Sequence, residues 1–144
     1  MTGQLPLFGL RPTPHDRIIS NTNSQGSTVF LMDETRGSVN NVEDVASTEG
    51  VDVLLIGSND LSVELGVPGQ FDSMEFRSAL TKVSQSCKAH EKMMGLAGIY
   101  DEPDFQDWAV NELGVGFILA GQDSWFIAER ANENVVALPT KKLA

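Results

Sequence analysis

Two acidic residues follow two short apolar runs at short spacing. Glu34 lies two residues beyond the run TVFLM at 28–32, and Asp60 lies four beyond the run VLLI at 53–56. If those runs are neighbouring parallel strands, their ends lie side by side. Two carboxylates held that close repel, and each resists ionising beside the other. A divalent cation relieves the conflict, and oxygen-only donors with room for water suit Mg²⁺ or Mn²⁺ rather than structural zinc. The competing reading is that both acids cap helices, Asp60 ahead of a turn at LSVEL and Glu34 at the start of the next helix. Spacing alone leaves both readings open. Asp33, beside Glu34, is expected to face solvent or to act as a cap.

The elements that must position these acids alternate in type. Residues 1–27 are rich in Pro, Gly, Ser, Thr and Asn and read as an irregular loop segment, with at most a short helix over 15–20. Apolar runs at 28–32, 53–56, 93–99 and 115–120 alternate with helical patterns near 39–46, 73–89, 103–113 and 124–132. Phe76, Leu80, Val83 and Cys87 fall on one helical face, and Asp72 is placed to accept from the first turn of that helix. His90 falls at its far end, where the dipole favours it. Asp101 is the expected N-cap of the next helix, with Pro103 in its first turn and Gly114 as its left-handed stop. Residues 136–144 read as a loose tail. Strands alternating with helices imply a parallel sheet. Right-handed crossovers then gather the loops after the strands on one edge, where α/β proteins place their chemistry. Trp108 and Trp125 are expected to pack helices on the sheet, with Trp125 nearer that edge. The sheet regions would account for the glycines at 95, 98, 114, 116 and 121 by close packing, since no phosphate-cradling loop appears.

Composition narrows the class. The chain has 144 residues, which suggests one domain. Twenty acids against ten bases give a net charge of −10, which argues against nucleic acid or an anionic membrane as partner. A single cysteine, Cys87, permits no intrachain disulfide and points to a reducing compartment. The N-terminus lacks the pattern of a secretory signal, and no apolar run approaches the roughly 20 residues that span a bilayer. The expectation is a soluble, cytoplasmic protein.

The motifs MDET at 32–35, EGVD at 49–52 and IGSNDLS at 56–62 resemble those of the HpcH/HpaI aldolase family, the metal-dependent pyruvate aldolases grouped with the citrate lyase β-subunit. The corresponding family pattern is Q-I-E-T, E-G-V-D and I-G-P-x-D-L-S. The similarity continues through FRSALTKVSQSCKAHEKMMGLAG and LGVGFILAGQDSWFIAERA, from about residue 5 to residue 132. It implies a (β/α)₈ TIM barrel, of which residues 28–135 resemble the C-terminal half, about four parallel strands alternating with helices. The resemblance carries metal binding onto Glu34 and Asp60, with Mg²⁺ or Mn²⁺ as cofactor. It assigns the pyruvate carboxylate to a wall made by Ser58, Asn59 and Asp60. The implied activity is that of an aldehyde-lyase, which makes or breaks a C–C bond of a 2-oxo acid through a pyruvate enolate.

The chain also departs from the family. A whole barrel takes about 250 residues. The family's histidine base and its arginine have no counterpart, since neither His15 nor His90 sits in a matching context. No catalytic base is therefore assigned. Met32 stands where the family has glutamine, and Ser58 where it has proline. A half barrel would leave two edge strands unpaired and expose Phe30, Leu55, Leu96 and Phe117 on its concave side. Pairing of two copies, a partner chain, or a longer gene product of which this is a fragment would each complete it. The alternative to an enzyme is a catalytically incomplete half barrel that binds metal, oxo-acid or a partner without turnover.

Overall fold

Four short aliphatic runs pair into one parallel sheet in the order β1-β2-β3-β4. The computed structural model describes residues 8–139, so expectations on 1–7 and 140–144 lie outside it. The strands are β1 (Phe30–Asp33), β2 (Val53–Gly57), β3 (Met93–Ala97) and β4 (Phe117–Ile118). Helix α1 (His15–Gln25) precedes β1. The first crossover carries α2 (Arg36–Asn40) and α3 (Val42–Ser47), and the second carries α4 (Ser58–Glu64) and α5 (Met74–Ala89). In the third, α6 (Pro103–Trp108) runs into a π-helical turn, Ala109–Leu113. Helix α7 (Asp123–Val136) follows β4. No described helix is long and apolar enough to cross a membrane.

The register sorts the strand residues into two faces. Asp33 lies opposite Ile56, Leu55 opposite Gly95, and Leu96 opposite Ile118. With period two, Leu54, Ile56, Met94 and Leu96 face the helices and join Phe76, Leu80 and Val83 of α5 in the core. The other face carries Phe30, Met32, Leu55 and Phe117. Here Gly95 matters for space: a Cβ would lie 2.9 Å from Leu55 and 3.3 Å from Phe117. The bare backbone leaves room for the Phe117 ring, which meets Phe30 edge-on with centroids 5.1 Å apart. These two residues come from opposite edges of the sheet, so the sheet is strongly curled.

Several expectations are corrected. Leu96 is 1% exposed and not on the concave side, because the alternation turns Gly95 inward instead. The stretch 58–73 after β2, which its glycines and prolines mark as loop, is instead helical over Ser58–Glu64. The pattern near 39–46 forms two helices, with Asn41 closing one and opening the next. Helix α1 extends to Gln25, with the Ser20 and Ser24 hydroxyls donating back to the carbonyls of Arg17 and Asn21. Ser73, rather than Asp72, caps α5 by accepting from the Phe76 N–H at 3.3 Å. Asp72 pairs instead with Arg77 at 2.6 Å. Asp101 caps nothing; its φ of 57° turns the chain toward α6, which starts after Glu102. Gly114 does end its helix in the left-handed region, at φ 78°. Trp108 packs against the core under the Arg77 guanidinium, 4.2 Å from its ring centre.

Candidate functional site

The loops that leave the C-terminal ends of the strands enclose a cleft of about 350 Å³. Met32 and Glu34 enter it from β1, Gly57, Ser58, Asn59 and Asp60 from the β2–α4 junction, Ala97, Gly98 and Tyr100 from the end of β3, and Gln122 from the loop before α7. All four residues singled out in the sequence, Glu34, Ser58, Asn59 and Asp60, therefore border one space. His15 and His90 do not.

The two carboxylates are set differently. Glu34 rests against the bare backbone of Gly57, where a Cβ would lie 2.9 Å from Glu34 Oε2 and 3.3 Å from Met32 Sδ. Asp60 stands in the first turn of α4, directly after β2. Neither carboxylate has an ion-pair partner among the described residues, and no Lys, Arg or His lines the cleft. No described group gathers three or more His, Cys, Asp or Glu in metal-binding range, so the protein donors on offer are these two acids. Two carboxylates with room for water fit a hard divalent cation that keeps part of its hydration shell.

The neighbours of Asp60 are engaged in structure. The Asn59 side-chain amide donates to the Gly98 carbonyl at 3.3 Å and so ties the first turn of α4 to the loop after β3. Gly98 has φ +90°, and a Cβ there would meet the Asn59 amide at 2.9 Å. Ser58 borders the cleft from beneath: it is fully buried and its hydroxyl has no protein partner. Leaving such a group unpaired costs about 1–3 kcal/mol. Tyr100 stacks on Trp125 of α7, with centroids 6.2 Å apart, which puts Trp125 beside the cleft.

Asp33 overturns its expectation. It is fully buried rather than solvent-facing. Its Oδ1 accepts a hydrogen bond from the Ser38 hydroxyl, and its Oδ2 has no partner among the described residues. Burial pushes its carboxyl above the usual range, against the lowering effect of Ser38. Cys87 is buried as expected, and its thiol is pushed up to about 11 by burial and by the charge of Asp33. The parity of β1 held the signal for Asp33: two residues after Leu31, it falls on the helix-facing side. Tyr100 and Gln122 were not singled out either, although each follows a strand end as Glu34 does. His90 closes α5 and bonds Glu43 at 2.6 Å. That hydrogen bond, with a second from Ser86, lowers the Glu43 pKa.

Comparison with known proteins gives the geometry a context. The profile of the HpcH/HpaI aldolase/citrate lyase family matches residues 11–119. A 4-hydroxy-4-methyl-2-oxoglutarate aldolase of Chaetomium globosum is 47% identical over 131 residues, which cover 91% of this chain and 49% of that protein. One of the same description from Hapsidospora irregularis is 43% identical over 143 residues, 99% of this chain and 53% of the relative. The chain thus spans about half the length of the curated relatives it matches. Among solved structures, an HpcH/HpaI aldolase from Desulfitobacterium hafniense superposes with a TM-score of 0.71 at 20% identity, covering 96% of this chain and 53% of the other. The four strand–helix units therefore correspond to about half of a TIM barrel, and the chain belongs to the HpcH/HpaI aldolase/citrate lyase family.

Proposed function

We propose that the cleft serves a divalent-metal-dependent aldolase reaction on a 2-oxo acid, with Glu34 and Asp60 as the protein ligands of Mg²⁺ or Mn²⁺. The observation that carries this reading is the convergence of two carboxylates, without a cationic partner among the described residues, in one cleft. When bound, such a cation supplies Lewis acidity that stabilises the charge developing on the substrate's oxo oxygen. The chain's own residues bind and orient. Gly57 leaves space for the Glu34 carboxylate, Asn59 braces the first turn of α4, which carries Asp60, against Gly98, and Tyr100 on Trp125 walls the far side. The pyruvyl end of the substrate lies along Ser58, Asn59 and Asp60. The names of the fungal relatives make 4-hydroxy-4-methyl-2-oxoglutarate the first substrate to test. A cytoplasmic setting is proposed, which the single buried thiol supports.

No His, Lys or Arg lines the cleft to serve as the proton donor or acceptor of such a reaction. Such groups would come from a complementary set of strands: a second copy, a partner chain, or further sequence of the same protein. That gap favours a second reading, in which this chain alone binds metal and oxo-acid without turnover. Titrating Mn²⁺ into the full chain while following free Mn²⁺ by EPR, with pyruvate release assayed in the same sample, tests both. Glu34→Gln and Asp60→Asn are expected to abolish binding, and wild-type affinity in Glu34→Gln would overturn the assignment. Metal binding without pyruvate release supports the second reading.

A further inference from the structure

One hydroxyl group holds the chain on both sides of Glu34. Ser38 Oγ donates to Asp33 Oδ1 and accepts from the Thr35 backbone N–H at 3.2 Å. The Thr35 hydroxyl lies 2.9 Å from Ser38 Oγ and accepts from the Ser38 backbone N–H at 3.0 Å. The Thr35 carbonyl, 2.8 Å away, competes for the one Ser38 proton. The Thr35 carbonyl already accepts from the Val39 backbone N–H at 3.2 Å, whereas Asp33 Oδ1 has no other donor among the described residues. With that proton on the path to Asp33, the Thr35 hydroxyl donates to Ser38, and donation runs in one direction along Thr35, Ser38 and Asp33.

Capping α2 needs only the reciprocal bonds of Thr35 and Ser38. Asp33 contributes nothing to that cap. It is fully buried and leaves one oxygen unpaired, an unfavourable arrangement unless it serves another end. What it adds is a tie from the last residue of β1 to the first turn of α2, across the single residue between Asp33 and Thr35. That residue is Glu34.

We propose that Ser38, anchored by Asp33, is a positioning residue that fixes the backbone on either side of Glu34 and so sets its carboxylate in the cleft for cation binding. The inference rests on Glu34 being a metal ligand. The test is Mn²⁺ titration of the full chain, followed by EPR, for the wild type, Ser38→Ala, Ser38→Thr, Val39→Ala and Glu34→Gln, with thermal unfolding of each. Ser38→Ala is expected to weaken Mn²⁺ binding about tenfold, the usual effect of removing a group that orients a ligand. Ser38→Thr, which keeps the hydroxyl, is expected to recover most of that affinity. Val39→Ala removes core contacts from the same helix and is expected to lower the unfolding temperature while keeping Mn²⁺ affinity. Wild-type affinity in Ser38→Ala, or an equal loss in Val39→Ala, overturns the inference. Should the alanine variant not fold, Ser38→Cys keeps the volume and weakens the bonds, and unaltered affinity there overturns it equally. Unaltered affinity in Glu34→Gln defeats the underlying metal assignment instead.

Discussion

Gly57 shows how one residue's missing atom shapes the cleft. Its φ of −82° is open to any side chain, so what position 57 demands is space and not backbone freedom. A methyl group there would occupy the ground now held by Glu34 Oε2 and Met32 Sδ. Gly57→Ala should therefore displace the Glu34 carboxylate and weaken Mn²⁺ binding about tenfold. Overpacking should lower stability by about 1–3 kcal/mol, measurable as a shifted urea midpoint. Unchanged Mn²⁺ affinity in a folded variant would mean that the carboxylate does not act from this seat. At this scale Glu34 and Asp60 were legible because each acid follows an apolar run by a few residues. Asp33 was not, because a carboxylate next to a loop reads as solvated until strand parity is applied. Tyr100 and Gln122 leave strand ends through irregular turns, where no periodicity indicates direction.

Among the elements, α5 was the most legible, since Phe76, Leu80, Val83 and Cys87 repeat at helical spacing and all four are buried. The first crossover was less so, because Asn41 breaks one expected helix into two. The stretch at 58–64 looks like loop in the sequence because the glycines and prolines that follow it mask its helical pattern. Burial on α5 has a chemical consequence at Cys87. A thiol pushed up to about 11 stays protonated at pH 8 and is a poor nucleophile. Iodoacetamide should label it slowly in the native chain and rapidly in urea, and fast native labelling would contradict the burial. The sign of the linkage follows from the same shift. The folded thiol holds its proton more tightly than the ordinary value of 9.0, so its contribution is intact below pH 9 and is lost as pH rises toward about 11. Urea midpoints across that window should fall more for the wild type than for Cys87→Ala.

For the molecule as a whole, the notable feature is what the sheet leaves uncovered. Strands β1 and β4 are both edges, Phe30 is 44% exposed, and no side chain of α7 is fully buried. Exposed strand edges next to apolar surface recruit partners. The isolated chain should therefore show a mass in sedimentation that rises with concentration, and Phe30→Lys should shift it toward the monomer with helical content retained. A wild-type chain that stays monomeric throughout would argue against association through this face. The alternation of strands and helices foretold the parallel sheet, whereas the degree of curl depends on which side chains meet across Gly95 and was not readable from periodicity. Three inter-strand spacings of about 4.8 Å separate the outer strands along the sheet. Yet the Phe30 and Phe117 rings touch. The four strands thus already hold this bend with nothing closed against them. Preorganisation of this kind removes the deformation penalty from a later association. A closing surface would meet strands that already carry the curve of a barrel wall, and its shape would have to match that curve.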